Sequence, residues 1–453
     1  MVICIPKGGD FVNIVYIHTH DSGRYIEPYG YNIPTPNLMS LAGQSTLFRH
    51  CYCAAPTCSP SRAALLTGTA PHVNGMLGLA HRGFWLKDHH MHLSHYLRNA
   101  GYDTALCGVQ HEAPDAAMLG YDTILTTSDP AKSNGERDIK NAHAAADYIK
   151  SSAQKNKKEK HFFLSFGMFA THREFPSAEV GDIRQDYIMP PYVMYDLKTN
   201  REDMAGYHSS AKTADECVGI VMDALSASEV RDNTVVIFTT DHGIAFPHMK
   251  CNLYDTGIGV ALMLKYPGNP TSGTANDFLI SQIDVFPTIC DLCGIEKPDW
   301  LMGKSFYDIL QGKAEEINSE IFAEVTYHAA YEPMRTIRTQ RYKLIRRYDY
   351  HNKMVPANTD DGNSKRFLLS AGILSRPVPR EMLFDLYLDP LERENLADDS
   401  AYAAVYDDLS ARLSGYMEKT KDPLATANHR VPAPKGAKVN KLTCLQPIDG
   451  DFE

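Results

Sequence analysis

Short apolar runs alternate with longer segments of helical periodicity over the first three hundred residues. The apolar runs carry few charges, which is typical of buried strands, and they lie at Asn13–His18, Thr104–Cys107, His161–Phe166, Thr234–Thr239 and Val260–Leu264. Between them, apolar residues recur every three or four positions and predict helices at Leu38–Gln44, Leu93–Ala100, Ala142–Lys150 and Ala211–Leu225. This order predicts an α/β fold with a large, mostly parallel sheet flanked by helices.

The pattern changes near residue 320, where apolar and charged residues alternate in closely spaced segments. These segments predict the strands of a smaller antiparallel sheet at Ile321–Val325, Met334–Arg338, Tyr342–Arg347 and Glu381–Leu386. We therefore expect a large α/β domain over residues 1–315 and a C-terminal α+β subdomain over residues 316–453.

Composition and charge restrict the class of protein. The 453 residues are 43% hydrophobic and 22% charged, which excludes a disordered chain and allows a large core. The net charge of −10 argues against a nucleic-acid partner, and no apolar run has the length of a membrane helix. Residues 1–9 lack the pattern of a secretion signal, so we expect a cytoplasmic protein, with a removed leader as the alternative.

The ten cysteines are few for this length and lie mostly within apolar strings, which predicts reduced thiols. Cys290 and Cys293 have the spacing of a redox or metal pair, but no second pair follows at zinc spacing. We interpret these two residues as buried helix packing.

The segment from Thr57 to Gly68 has the features of a capped helix. Ser59 is a capping residue type, Pro60 suits the first helical position, and Gly68 suits the end. This helix would place Cys58 and Arg62 at its positive end, where tetrahedral anions bind, and Arg62 adds a planar fork of donors. The alternative is a capped helix with an incidental cysteine.

Two acid–imidazole pairs follow predicted strands, His20 with Asp21 and Asp241 with His242. Ligands collect at the carboxyl ends of parallel strands, and carboxylates hold divalent metals. A simple Asp–Gly turn is the alternative at each place, but two such pairs together with Cys58 favour a metal site.

Three further side chains also follow strands and have the chemistry to transfer protons or hold an anion. His111 and His172 suit acid–base work near neutral pH, and Lys250 lies a few residues past Asp241. Taken singly, each is typical of a surface residue, so their shared position after strand ends is what selects them.

The string Cys58-Ser-Pro-Ser-Arg62, followed by Ala-Ala-Leu-Leu-Thr-Gly68, resembles the signature of the formylglycine-dependent sulfatases, a family of the alkaline-phosphatase-like superfamily. The resemblance implies that a maturation enzyme converts Cys58 to formylglycine, whose hydrated aldehyde is the nucleophile. It further implies metal ligands and catalytic residues at matching positions. The metal positions are His20, Asp21, Cys58, Asp241 and His242, and the catalytic ones are Cys58, Arg62, His111, His172 and Lys250.

This sequence departs from the family pattern at two positions. His20 stands where the family has an aspartate, and Val109 stands where the family has a lysine. We expect Ca²⁺, because the resemblance implies it. Calcium prefers oxygen ligands, so the two imidazoles leave Mn²⁺ or Zn²⁺ as alternatives. The loss of the lysine removes one clamp on the sulfate.

Three strings are similar to the N-sulfoglucosamine sulfohydrolase (sulfamidase) subgroup: Cys58-Ser-Pro-Ser-Arg62, Asn252-Leu-Tyr254 and Pro333-Met-Arg335. They imply a sulfated sugar substrate, with N-sulfoglucosamine of heparin or heparan fragments first and sugar O-sulfates second, and hence a role in glycosaminoglycan degradation. Because the chain is acidic, we expect local cations at the pocket mouth, including Arg335, Arg338 and Arg341. A phosphonate monoester or phosphodiester hydrolase and a non-catalytic sulfated-glycan-binding protein are the alternatives.

Overall fold

A computed structural model describes residues 12–125, 131–155, 160–176, 184–426, 430–448 and 450–453. Its strands are β1 (Asn13–Thr19), β2 (Thr46–Phe48), β3 (Cys51–Tyr52), β4 (Asp103–Gly108), β5 (Thr123–Leu125), β6 (Phe162–Gly167), β7 (Thr234–Thr240), β8 (Leu262–Lys265), β9 (Thr274–Asn276), β10 (Ile280–Ser281), β11 (Glu320–Tyr327), β12 (Tyr331–Thr339), β13 (Tyr342–Arg347) and β14 (Glu381–Asp385). Its α-helices are α1 (Pro36–Ala42), α2 (Cys58–Thr67), α3 (Pro71–Asn74), α4 (Leu93–Asn99), α5 (Asn134–Lys155), α6 (Lys198–Ser226), α7 (Asp255–Ile258), α8 (Val285–Cys293), α9 (Tyr307–Leu310), α10 (Asn363–Ser370) and α11 (Ala403–Lys419). Residues 1–11 lie outside the described part. They include residues 1–9, whose pattern predicts a cytoplasmic protein.

The main sheet has eight strands in the order β5-β4-β6-β1-β7-β8-β2-β9. Strand β8 runs antiparallel to both of its neighbours, and the other pairs are parallel. The predicted large, mostly parallel sheet is therefore confirmed. Every residue of β1 is buried, which explains why its middle, Ile14 to Ile17, is a continuous apolar run and does not alternate.

Helices cover both faces of this sheet. Alternate residues of β1 enter different cores: Ile14 and Tyr16 pack with the side of α4 and α8, whereas Val15 and Ile17 pack with the side of α5 and α6. This two-sided covering leaves the carboxyl end of the central strands as the place where polar side chains can gather.

The smaller sheet is antiparallel, with β11 to β14 in sequential order, as predicted. One face packs against α11 through Ile337, Leu344 and Leu413. The other face joins the core of the large sheet through residues such as Val325 and Ile345. The division of the chain near residue 315 stays a prediction.

The described cysteines are free thiols within the fold. Cys290 and Cys293 lie in α8 and pack in the main core, as the sequence predicted. Among the described residues, no helix combines the length and the apolar composition that crossing a bilayer requires.

Arg335 corrects one prediction, because it does not lie at a pocket mouth. It is buried at 2% exposure within the small sheet, and its Nε and Nη2 donate to the carboxylate of Asp422 at 2.5 and 3.1 Å. Its Nη1 donates to the carbonyl oxygen of Val325 at 2.9 Å. The side chain therefore ties β11 and β12 to the segment that follows α11.

We expect Arg335→Ala to lower the free energy of unfolding by about 3–5 kcal/mol, because the substitution leaves the Asp422 carboxylate buried without its partner. Urea denaturation followed by circular dichroism measures this change. Arg98→Ala is the matched control, since Arg98 pairs with Asp122 at an exposed site and should cost no more than about 1 kcal/mol. Equal effects of the two substitutions would contradict the structural role of Arg335.

Candidate active site

The turns that follow β1 and β7 meet at one edge of the sheet. The strands are in register up to Thr19 and Thr240, so the next residues of each chain segment lie side by side. Asp21 adopts a left-handed backbone conformation with φ of 53°, and its backbone N–H donates to Oδ1 of Asp241 at 2.8 Å. The two turns approach so closely that a Cβ on Gly23 would lie 3.0 Å from Cα of Gly243.

Helix α2 brings Cys58 to the same edge. The helix begins at Cys58 and ends at Gly68, which has φ of 66° as expected for a glycine at this position. The predicted cap is wrong: Thr57 occupies the capping position without a side-chain bond, and Oγ of Ser59 instead accepts from the backbone N–H of Ala80 at 3.0 Å. Cys58 therefore belongs to the first turn of the helix.

Four side chains form a buried cluster at this edge. Ligand atoms of His20, Asp21, Cys58 and Asp241 all lie within 4.8 Å of one another. Nδ1 of His20 lies 2.7 Å from Oδ1 of Asp21 and 3.3 Å from Oδ2 of Asp241. Nε2 of His242 lies 3.3 Å from the same oxygen of Asp21. Two carboxylates and two imidazoles form a donor set that fits a divalent metal.

Arg62 supports this cluster from within the protein. Its Nε and Nη2 lie 3.1 and 3.0 Å from Oδ2 of Asp241, and its Nη2 also donates to the carbonyl oxygen of Thr19 at 3.1 Å. Its Nη1 contacts Nδ1 of His18. Burial raises the pKa of Asp241, but the charges of His242, His20 and Arg62 outweigh it and hold that pKa well below its usual range. Arg62 thus keeps Asp241 ionised, while its role as a sulfate clamp stays a prediction.

His20 lies at the centre of three histidines. Its Nε2 is 3.0 Å from Nδ1 of His111, and its ring lies edge-on to that of His172 with centroids 4.6 Å apart. The backbone of Thr171 donates to the carbonyl oxygen of His20 at 2.7 Å and so fixes the neighbouring His172. Burial lowers the pKa of His20 to about 4, although Asp241 and Asp21 favour its protonated form. Burial also lowers the pKa of His111 well below its usual value, and His20 adds to this effect. Both rings are therefore neutral at neutral pH.

Lys250 brings a positive charge to the same cluster. Its Nζ lies 2.8 Å from Oδ2 of Asp21 and 3.0 Å from Oδ2 of Asp360. The backbone N–H of Cys251 donates to the carbonyl oxygen of Pro56, which anchors the lysine beside the start of α2. Burial disfavours the ammonium group, but Asp21 and Asp360 outweigh it and raise the pKa of Lys250 well above its usual range. The ammonium group is therefore permanent at physiological pH.

The sulfur of Cys58 has a histidine neighbour in space that the sequence does not show, because Nε2 of His242 lies 3.5 Å away. This is not an activated cysteine–histidine pair. Burial raises the pKa of the Cys58 thiol well above its usual value, despite the opposing charge of Lys250. A catalytic thiolate requires the opposite shift, so the unmodified thiol is a poor nucleophile.

The structure brings the nine predicted metal and catalytic residues to one place, and it adds three that the sequence analysis missed. The three arginines predicted at the pocket mouth are not among them. His18 lies under Arg62, Asp360 pairs with Lys250, and His328 lies within electrostatic reach of Lys250 and Asp360. His328 follows β11, so the small sheet contributes to the site. Burial lowers the pKa of His328 to about 3, and Lys250 adds to this effect.

Comparison with known proteins agrees with this site. The sulfatase family model matches residues 12–295, and a model described as N-sulphoglucosamine sulphohydrolase, C-terminal, matches residues 244–361. Human N-sulphoglucosamine sulphohydrolase is 29% identical over 95% of this chain and 94% of its own length. An ulvan-active sulfatase of Formosa agariphila is 26% identical over 95% of this chain and 85% of its own length.

A solved structure in complex with its substrate, D-glucosamine-2-N,6-O-disulfate, has the same fold, with a TM-score of 0.70 and 18% identity. The alignment covers 93% of this chain and all of that one. The fold and the family match together define a hydrolase whose candidate site lies at the carboxyl end of a mostly parallel sheet. The chain belongs to the sulfatase family, whose members hydrolyse sulfuric esters and generally use a metal ion and formylglycine.

Proposed function

We propose that this sulfatase releases sulfate from a sulfated sugar through formylglycine formed at Cys58. The preferred substrate is N-sulfoglucosamine in heparin or heparan fragments, and sugar O-sulfates are second. The observation that carries the mechanism is the single buried cluster of Cys58, Asp21, Asp241 and Lys250. The similarity to human N-sulphoglucosamine sulphohydrolase over nearly the whole chain supports the choice of substrate.

The modified residue and the metal supply two parts of the chemistry. The hydrated aldehyde at position 58 would provide an oxygen nucleophile, and a divalent metal held by Asp21, Asp241 and the neighbouring imidazoles would neutralise sulfate oxygens. Side chains of this protein would stabilise the developing charge and supply the proton.

Lys250 provides a permanent cation beside Asp21, in addition to Arg62 beside Asp241. Because Asp21 and Asp360 both lie within 3.0 Å of its ammonium group, its position is fixed before the substrate arrives. A fixed positive charge in a site shielded from water stabilises the charge that develops on a sulfuryl group more strongly than a mobile one. We assign Lys250 to the sulfate oxygens.

His172 is our candidate for the proton donor to the departing atom of the sugar. Its ring lies against that of His20, and its ligand atom lies within 4.8 Å of the sulfur of Cys58. Unlike His20, it is only partly buried. The neutral ring of His111 is a weaker acid source, and its bond to Nε2 of His20 makes it a positioning residue for that ring. Asp360 pairs with Lys250, and His328 lies within electrostatic reach of both, so these two residues are our candidates for contacts with the sugar.

The donor set favours Mn²⁺ or Zn²⁺ over the Ca²⁺ that the family resemblance implies. Calcium takes six to eight oxygen ligands, whereas in the described part of the chain this cluster offers two carboxylates and the side chain of residue 58 beside two imidazoles. Manganese and zinc accept mixed nitrogen and oxygen ligands. His20 is the residue that makes the difference, because it replaces an aspartate of the family pattern.

We therefore expect His20→Asp to shift metal selectivity toward Ca²⁺ by about tenfold or more relative to Mn²⁺. Competition dialysis of the purified protein against both ions, followed by elemental analysis, measures the ratio. His95→Asp serves as the control, since His95 lies on α4 away from the cluster. An unchanged ratio in His20→Asp would show that His20 does not contact the metal.

The function itself is tested with enzyme whose Cys58 has been converted, by measuring sulfate release from N-sulfated and O-sulfated monosaccharides. We expect turnover of N-sulfoglucosamine above that of each O-sulfate. Preference for an O-sulfate would overturn the substrate assignment and keep the sulfatase. Parallel assays with an aryl sulfate and an aryl phosphonate test the phosphonate hydrolase alternative, which the Asp241–His242 pair favours. Sugar binding without any turnover would instead indicate the non-catalytic alternative.

A further inference from the structure

A second cleft of about 410 Å³ opens between the large and the small sheet and shares no lining residue with the Cys58 cluster. Its volume lies in the range of small-molecule sites. Arg338, which the sequence analysis placed at the mouth of the active site, lines this cleft. Arg341 lies at its edge, with its guanidinium 5.6 Å from the ring centre of Tyr387. We name it the arginine–tyrosine cleft.

The floor of the arginine–tyrosine cleft is a stack of three side chains. The guanidinium groups of Arg24 and Arg338 lie 4.6 and 4.3 Å from the ring centre of the buried Tyr52. Gly259 gives Arg24 its room, because a Cβ there would lie 2.8 Å from the guanidinium carbon. This stack presents two planar cations, the side chains best suited to bind carboxylate or sulfate oxygens.

The positive charge of the floor is only partly compensated. Arg338 and Lys343 share the carboxylate of Asp255, and Lys343 also pairs with Glu392. Arg24 donates from Nη2 to the carbonyl oxygen of Cys51, and its buried Nε has no hydrogen-bond partner in the described part of the chain. Three cations thus face two carboxylates, and this excess of positive charge favours an anionic group in the cleft.

The rim of the cleft carries exposed aromatic rings. Tyr192 is 66% exposed and Tyr387 is 63% exposed. Arg393 follows β14 and donates to the carbonyl oxygen of Tyr192 at 3.1 Å, which holds the loop that contains Tyr192 against the small sheet. Flat aromatic rings pack against the C–H faces of pyranose rings, and their hydroxyl groups bond to sugar hydroxyls.

We propose that the arginine–tyrosine cleft binds an acidic sugar unit of a glycan chain, one that carries a carboxylate or a sulfate. Cations on the floor and aromatic rings on the rim match the two chemical faces of such a sugar. The proposal rests on the proposed function, since the glycan would be the polymer whose sulfated unit enters the Cys58 site. The cleft would therefore favour oligosaccharides over single sugars.

Protein with unconverted Cys58 allows binding to be measured without turnover. Isothermal titration calorimetry with a heparin-derived tetrasaccharide and with N-sulfoglucosamine is carried out on Tyr192→Ala combined with Tyr387→Ala. We expect the tetrasaccharide Kd to rise about fivefold or more and the monosaccharide Kd to stay unchanged. Arg338→Gln, with its thermal stability verified, should give the same pattern. Tyr350→Ala is the control, because Tyr350 is 91% exposed and does not line the cleft.

The outcomes separate this proposal from the proposed function. An unchanged tetrasaccharide Kd in the tyrosine variant and in Arg338→Gln would overturn the cleft, while sulfate release from single sugars would still support the sugar sulfatase. A change in molecular mass of the tyrosine variant in light scattering, with saccharide binding intact, would show that the rim is a contact between copies of the chain and would also overturn the proposal. Failure of converted enzyme to release sulfate from any sugar would overturn the proposed function alone.

Discussion

Replacing Cys58 with alanine is expected to lower kcat/KM for sulfate release by at least about a thousandfold while the protein stays folded. The aldehyde carbon is the β-carbon of Cys58, and its conversion needs the thiol. Alanine keeps this carbon as an inert methyl group, so the nucleophile is not formed while Arg62, Asp241 and Lys250 remain in place. The side chain is 3% exposed, so the substitution leaves a cavity, but one the size of a single sulfur atom. Sulfate release by enzyme coexpressed with a maturation system measures the effect.

Cys58→Ser is the matched control because it keeps the size of the side chain and removes the sulfur. Mass spectrometry of the peptide that contains residue 58 reports whether the wild-type thiol has been replaced by an aldehyde. Activity of Cys58→Ala near the wild-type level, in samples whose wild type is fully converted, would rule out formylglycine at this position.

Asp241→Ala is expected to abolish both metal content and activity, because this carboxylate lies between His20, Asp21 and Arg62. It also leaves the Arg62 guanidinium buried without its partner, at a cost of about 3–5 kcal/mol of folding free energy. Elemental analysis of the folded fraction, together with circular dichroism, separates the loss of metal from the loss of fold.

Asp241→Asn keeps the shape of the side chain and loses its charge, so it should fold better than the alanine variant and still bind metal weakly. Asp223→Asn is the control, since Asp223 lies on α6 away from the cluster. Equal metal content in the wild type and in both Asp241 variants would place the metal elsewhere in the protein.

The sequence predicted the sheets well because their strands are buried in ways that leave clear patterns. The central strand β1 has four consecutive apolar residues, Ile14 to Ile17, since helices cover both of its faces. The cap of α2 was mispredicted for a local reason: Ser59 has the chemistry of a cap, but its oxygen is used by the backbone of Ala80, which lies close only after folding. Residue type alone does not show which of two partners a hydroxyl will bind.

The site was predictable where it follows strand ends and unpredictable where it comes from loops of the small sheet. Asp21 and Asp241 follow neighbouring parallel strands, and that topology brings them together. Asp360 and His328 have no such signal, because tertiary packing alone brings them near Lys250. Asp360 lies more than a hundred residues from Lys250 in the sequence, and His328 lies nearly eighty residues from it. Arg335 shows the same limit from the opposite direction, since alternating charge on a strand does not distinguish an exposed cation from one paired in the interior.

If Cys58 is converted to formylglycine as we propose, its burial limits when the conversion can occur. In the folded chain the sulfur is enclosed by α2, the turns after β1 and β7, and the segment that Cys251 ties to Pro56. An enzyme that acts on this thiol needs the chain while α2 is still unpacked, during or soon after synthesis. Under the proposed mechanism, each molecule that folds with its thiol intact would stay without a nucleophile. The active fraction of a preparation would then report the rate of modification relative to the rate of folding.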